Sequence, residues 1–241
     1  MATVAVYNIK GGVGKTSIAV NLAWSAATRS ARRTLLWDLD AQGAASFLLG
    51  HDGGSRSKRA ADIFAGEAKP KALIESTAYP RLDLLPADAS LATLDRLLHD
   101  LGKKRRLAKL VEDLSRDYDL IVLDCPPGLG DLAEQLVRAA DLVIVPVVPS
   151  ELSRRTLVAV EDFVNAREAR TVPLLPVHAM VDRRRKLHRD YVTDSDWPAV
   201  PMASAVEQMA ERRAPIGTFA ARAAAGQAFD ALWQRVAKSI G

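Results

Sequence analysis

The residues whose spacing carries the most chemistry lie near the N-terminus. Lys10-Gly11-Gly12-Val13-Gly14-Lys15-Thr16-Ser17 separates the apolar run Thr3 to Tyr7 from the helix-forming stretch Ile18-Ala19-Val20-Asn21-Leu22-Ala23. Strand, glycine-rich turn and helix is the context in which such a loop binds phosphate. Glycines let backbone N–H groups close round phosphate oxygens without Cβ obstruction, and the helix N-terminus adds partial positive charge. In that arrangement Lys15 neutralises the β- and γ-phosphates of a nucleotide, and the Thr16 hydroxyl coordinates magnesium. The loop departs from the pattern G-x-x-x-x-G-K-[ST], because Ile9 holds its first glycine position and a lysine, Lys10, follows. From charge alone, Lys10 is either a second phosphate ligand or a solvated cation.

Two acidic segments fall where a phosphate site needs them. Asp38-Leu39-Asp40-Ala41-Gln42-Gly43 follows the apolar run Thr34 to Trp37, and alternation puts Asp38 and Asp40 on one side of an extended backbone. Carboxylates at the C-terminal end of a parallel strand sit in the ligand crevice of an open α/β sheet, suited to orienting a water or holding a metal's hydration shell. Leu120-Ile121-Val122-Leu123-Asp124 has the layout of a Walker B strand that delivers its acid, Asp124, to magnesium. Cys125, with no histidine near it in sequence, reads as a packing residue rather than a nucleophile. His51, His99, His178 and His188 have no metal-ligand spacing.

The elements that must position these groups recur with a βαβ rhythm. Strand-like runs at Thr3 to Tyr7, Thr34 to Trp37, Leu82 to Leu85, Leu120 to Leu123, Leu142 to Val148 and Leu174 to Val177 leave room for helices between them. Leu107, Leu110, Val111 and Leu114 mark one such helix, and Phe229, Leu232, Trp233 and Val236 another near the C-terminus. The second could close the sheet or lie on a membrane surface. Loops are expected at His51 to Arg59 and at Gly66 to Pro70. The expectation is one α/β domain over residues 1–241, a P-loop NTPase fold with a mostly parallel twisted sheet and helices on both faces. With 49% apolar and 26% charged residues the chain is an ordinary folded protein, and a single cysteine excludes a disulfide framework. No run approaches the roughly 20 apolar residues a membrane span needs.

The K-G-G-V-G-K-T loop resembles the deviant Walker A motif of the ParA/MinD family of partition and positioning ATPases. The segment Asp38 to Gly43 is similar to that family's D-x-D-P-Q-G motif with Ala41 in place of proline, and Asp124-Cys125-Pro126-Pro127-Gly128 resembles its switch loop. Leu82 to Asp88, Met180 to Arg184 and Ala214-Pro215-Ile216 fall in family order, so the resemblance spans nearly the whole chain. It implies an ATPase with ATP and Mg2+ as cofactors that closes into an ATP-sandwich homodimer. Lys10 would reach the partner's phosphates, Gly11, Gly12, Val13, Gly14, Lys15, Thr16 and Ser17 would cradle them, and Asp40 would position the attacking water. Thr16, Asp38 and Asp124 would serve the metal. Met180 is expected beside the base, while Ala179 stands where relatives usually carry Asn or Thr, which leaves the choice among ATP, GTP and CTP open. Slow hydrolysis stimulated by a ParB-like or other cargo adaptor, and a cytoplasmic, nucleoid-associated location, belong to the same expectation. The chain opens at the P-loop with no helix-turn-helix extension, as in the short, Soj-like class. The alternatives are a MinD-like protein that meets the membrane through Phe229 to Ile240, or an ATP-dependent metabolic enzyme on the same scaffold, such as a dethiobiotin synthetase or a cobyrinate synthase.

Arg183-Arg184-Arg185-Lys186 with Arg189 puts five cations in seven positions, and Arg212, Arg213 and Arg222 could extend the patch. Such a cluster can bind DNA phosphates without reading bases, as the resemblance favours, or can be a solvated face or a set of dimer ion pairs. The net charge of +4 decides little between these. Against DNA binding, Ala203-Ser204-Ala205-Val206-Glu207 is neutral to acidic where partition relatives often carry an arginine. Lys103-Lys104-Arg105-Arg106 opens a helix, where cations oppose the dipole, and reads as a surface turn.

Overall fold

Each of the six apolar runs forms a strand in the computed structural model, which describes residues 1–52, 59–102, 104–166 and 172–241. In chain order these are β1 (Ala2–Val6), β2 (Thr34–Asp38), β4 (Leu82–Leu85), β5 (Leu120–Asp124), β6 (Leu142–Val147) and β7 (Leu174–Val181). Two short strands join them, β3 (Glu75–Ser76) and β8 (Ala199–Pro201), giving the order β3-β4-β2-β5-β1-β6-β7-β8. Every pairing is parallel except β3 with β4. Strands β1, β2 and β5 are buried at every residue, as unalternated apolar runs require when helices cover both faces. Register fixes the site, because β1 and β2 flank β5 with Val6 and Asp38 both opposite Asp124.

One face of the sheet carries α1 (Lys15–Arg29), α2 (Ala44–Leu48), α9 (Ser204–Arg212) and α10 (Ala224–Ile240), with Val4, Val6, Leu36, Val122 and Ile144 beneath them. The other carries α3 (Ala60–Ala65), α4 (Leu94–Leu101), α5 (Arg106–Leu114), α6 (Asp131–Ala139) and α7 (Glu151–Asn165) over Leu35, Trp37, Ile121, Leu123 and Val145. Helix α8 (Lys186–Thr193) follows β7 near the edge. The predicted set Leu107, Leu110, Val111 and Leu114 is buried along α5. Arg106, expected in a surface turn, instead donates to the carbonyls of Ile63 and Phe64 at 2.6 and 3.0 Å. A cation there complements the C-terminal end of α3. Residues 53–58 of the predicted loop His51 to Arg59, and Lys103 of the basic run, lie outside the described residues.

Helix α10 packs its apolar stripe into the core. Phe229, Leu232, Trp233 and Val236 face inward against α1 and β8, and the Trp233 indole donates to Ser30 Oγ at 2.8 Å. The apolar stripe that a membrane would take is core, and among the described residues no helix is long and apolar enough to cross a bilayer. Leu232→Ala is therefore expected to destabilise the protein by about 2–5 kcal/mol in urea unfolding. A loss below about 0.5 kcal/mol, as for a surface residue, would contradict this packing.

Candidate nucleotide-binding site

Beyond β1 the chain is held before it turns. Tyr7 N–H donates to Ile144 O at 2.9 Å, and the buried Asn8 amide donates to Pro146 O at 2.8 Å while its carbonyl oxygen accepts from Lys10 N–H at 2.9 Å. Asn8 thus bolts the entrance of the glycine loop to β6, a role that no motif marks in the sequence. Gly12 and Gly14 take φ of 70° and 89°, where a Cβ is disfavoured. A Cβ built on Gly11, Gly12 or Gly14 would meet nothing within 4 Å, so the loop surrounds open space. Helix α1 starts at Lys15 with no side-chain cap, which leaves its first-turn N–H groups facing that space. Lys15 is buried, and its ammonium donates to Lys10 O at 2.9 Å. Burial lowers its pKa, against the opposing pull of Asp124, Cys125 and Asp40. Val13 is buried and anchors the loop, whereas Thr16 and Ser17 are half-buried at the helix start. Lys10 is half-exposed, and none of the hydrogen bonds or ion pairs among the described residues uses its ammonium.

The two acidic strand ends have different fates. Asp124 is fully buried, and neither carboxylate oxygen has a hydrogen-bond partner among the described residues. Burial first and then Asp38 push its carboxyl well above the usual range, outweighing the Thr16 hydroxyl and Lys15 ammonium that favour the ionised form. Asp38 is equally buried but satisfied: one oxygen accepts from Asp40 N–H at 3.2 Å, the other from Ser46 N–H and Oγ–H at 2.8 and 2.7 Å. The expected alternation of Asp38 and Asp40 along one strand is replaced by a turn, since β2 ends at Asp38 and Asp40 accepts from Gly43 N–H and Gln42 N–H. Asp38 therefore shapes the Asp40 turn and starts α2, and its oxygens are already taken. The buried Cys125 thiol is pushed up by burial, consistent with packing.

These observations fit a magnesium-bound phosphate chain. The glycine loop has room for an anion beside uncapped donors, and Asp124 is an orphaned acid of the kind a buried cation satisfies. Magnesium binds through one or two protein oxygens plus waters and phosphate, so Thr16 and Asp124 suffice. Among the described residues no group of three or more His, Cys, Asp or Glu side chains forms a metal cage.

A cleft beside the loop is lined by Gly14, Ser17 and Ile18 on one side and by Ala179, Met180, Val200, Pro201, Met202, Ala203, Val206, Glu207 and Phe229 on the other. Met180, expected beside a nucleotide base, lines this cleft and takes φ of 55° at the point where the β7–β8 register shifts. Met202, Val206 and Glu207 were not anticipated. The only sequence signal for them is their position just after a three-residue strand ending in proline.

The basic residues divide. Arg184 pairs with Asp182 at 2.9 and 3.0 Å and holds that carboxyl down to about 2, while Arg189 donates to Arg183 O and Arg184 O. Arg183, Arg185 and Lys186 are exposed at the turn into α8, and no hydrogen bond or ion pair of their side chains occurs among the described residues. Arg212 lies over the Phe219 ring at 4.9 Å, and Arg222 is exposed. Arg213 departs from the expectation of a free DNA-facing cation, because its guanidinium is spent on the end of α2 and the segment that follows, through Phe47 O, His51 O and Asp52.

Asn8→Ala should weaken nucleotide binding several-fold and cost about 1–3 kcal/mol of stability, because it orphans Lys10 N–H and Pro146 O together. Calorimetric titration with ADP and magnesium, alongside urea unfolding, measures both. An unchanged affinity would show that the loop does not need this anchor.

A sequence model of the AAA domain family matches residues 1–173. Over 145 residues, 60% of this chain, the sequence is 36% identical to the sporulation initiation inhibitor protein Soj of Bacillus subtilis, and the match spans 57% of that protein's length. Over 201 residues it is 31% identical to the chromosome partitioning protein ParA of Caulobacter vibrioides, covering 80% of this chain and 75% of the relative. Among solved structures, cobyrinic acid a,c-diamide synthase from Mycobacterium smegmatis with bound ADP and magnesium superposes with a TM-score of 0.80 at 27% identity, over 99% of this chain and 94% of that one. With the deviant glycine loop and both acidic strand ends in place, the chain belongs to the ParA/MinD family of P-loop ATPases.

Proposed function

We propose that residues 1–241 act as one magnesium-dependent ATPase domain whose ATP-bound form is a face-to-face homodimer that holds nonspecific DNA and positions a cargo. The observation that carries this reading is Lys10: its backbone is fixed by Asn8 and Lys15, while its ammonium is left unengaged at the mouth of the phosphate loop. An amine so held is suited to phosphates presented by a second copy. Similarity to partition proteins over most of the chain supports cargo positioning over small-molecule chemistry.

In this reading the N–H groups from Gly11 to Ser17 bind the phosphate oxygens, and Lys15 neutralises them from within the subunit. Thr16 and Asp124 would hold magnesium, which would supply charge compensation to the phosphate chain. Asp40 orients the attacking water, and Asp38 fixes the turn that aims Asp40. Met180 and Met202 flank the base, and Ala179 offers no side-chain hydrogen bond to read it. Hydrolysis is slow until an adaptor of the ParB kind engages the dimer. Arg183, Arg185 and Lys186, with Arg222 and Arg212 as lesser contributors, give the nonspecific DNA surface of a cytoplasmic, nucleoid-associated protein.

Lys15→Ala is expected to abolish ATP binding. Asp40→Ala should retain binding, stop turnover and accumulate a dimer in ATP and magnesium, whereas Lys10→Ala should bind ATP as a monomer. Light scattering after size exclusion reads all three, and only monomers from the Asp40 variant would end the dimer proposal. Duplex DNA titrated with ATP, with ADP and without nucleotide should bind tightly only with ATP. Joint replacement of Arg183, Arg185 and Lys186 by Ala should lower the salt slope by about one unit for each DNA phosphate that is no longer neutralised. Parent affinity in that variant would refute the assigned surface.

A further inference from the structure

We infer that Arg213 is a positioning residue that couples the base cleft to the Asp40 turn. The inference rests on the nucleotide-hydrolysing reading of the site above and adds to it a residue outside the phosphate loop.

Arg213 follows α9 with φ 49° and ψ 50°, the left-handed position at a helix end that glycine ordinarily takes. Glycine would end α9 there without strain, so the side chain must account for an arginine. Its Nε donates to Phe47 O at 3.2 Å and its Nη2 to His51 O at 3.0 Å, and the guanidinium lies 4.7 Å from the centre of the Phe47 ring. Phe47 lies in the last turn of α2 and His51 three residues beyond its end, where the helix dipole favours a cation; Phe47 O also accepts from Gly50 N–H at 3.1 Å. The added ion pair to Asp52 is largely solvent-exposed on the aspartate side and contributes little by itself.

Of the two bodies joined by this staple, one is tied to the Asp40 turn and the other lines the cleft. Helix α2 has five residues, and its first turn is clamped by Asp38 through Ser46, immediately after the turn that carries Asp40. Helix α9 lines the base cleft with Val206 and Glu207 at its other end. It is also tied to α1, since Asn21 contacts Met209 Sδ, accepts from Ile216 N–H and donates to Ser17 O. A base that settles into the cleft bears on α9. Arg213 passes that bias to α2, and α2 to Asp40. Binding at the base then sets the aim of the group that orients water, 173 positions away in sequence.

The test uses the full chain and compares the parent with Arg213→Gly, which suits the backbone angle, and Arg213→Lys, which keeps the charge but lacks the fork. Hydrogen exchange is followed with and without ADP and magnesium, together with steady-state hydrolysis of ATP. Nucleotide should protect residues 11–17 and 204–212 in all three proteins. Protection of residues 44–48 should appear in the parent, be partial in Arg213→Lys and be absent in Arg213→Gly. The kcat should fall about tenfold in Arg213→Gly at unchanged KM, as expected for a group aimed wrongly rather than removed. Parent-like protection of residues 44–48 or parent kcat in Arg213→Gly overturns the coupling, and so does a loss of ADP affinity that matches the loss of kcat, the mark of a merely structural role. If Arg213→Gly does not fold, parent values throughout in Arg213→Lys overturn it equally. Failure of ADP to protect residues 11–17 in the parent would instead sink the nucleotide site itself.

Discussion

Two carboxylates buried side by side are the constraint around which this molecule is arranged. Parallel pairing in register sets Asp38 opposite Asp124 at the ends of β2 and β5, with no solvent to separate their charges. Such a pair can be ionised together only if each charge is compensated. Asp38 is compensated internally, by the first turn of α2 and the backbone of the Asp40 turn. Asp124 is not, and its unpaired oxygens beside Lys15 and Thr16 leave a place that a hard cation fits. The asymmetry divides two chemically identical groups: one is spent on building the site and the other keeps both oxygens unpartnered.

The rest of the fold supplies that pair with its anion. In the strand order β1 sits between β5 and β6, the point from which the chain winds first one way and then the other. Open α/β sheets bind ligands at such points. The glycine loop leaves β1 there, pinned to β6 by Asn8 and closed on itself by the hydrogen bond from Lys15 to Lys10. Donors of α1, the acids of β2 and β5 and the cleft beyond β7 and β8 then converge on one rim of the sheet.

What could be read from the sequence was whatever is encoded locally. The glycine loop, the strands of four or more residues and the apolar stripe of α5 each announce themselves within a dozen positions, and each stands where expected, except that β7 runs on from Val177 to Val181. Strands β3 and β8 are too short to show a period, and β3 runs antiparallel at the edge. Asn8 belongs to no motif. The cleft beside the glycine loop joins residues 14–18 to residues 179–180 and 200–207, a meeting that only the topology reveals. Charge was the least legible property, because a run of arginines does not say which are paired. Arg184, Arg189 and Arg213 proved to be engaged with carboxylates or carbonyls, while among the described residues the side chains of Arg183 and Arg185 make no hydrogen bond or ion pair. The C-terminal stripe of α10 was ambiguous for a related reason, since an amphipathic pattern fixes a buried face without naming what buries it.

Arg106 and Arg213 perform the same service at opposite sides of the sheet. Each closes the carbonyl end of a very short helix, α3 or α2, from a distant part of the chain. Helices of five and six residues are far below the length that holds together alone in water. They can exist only once the sheet and its longer helices have already condensed. The acid-bearing stretch after β2 thus owes its shape to residues far along the chain, and loosening Arg213 would be felt there without touching the sheet.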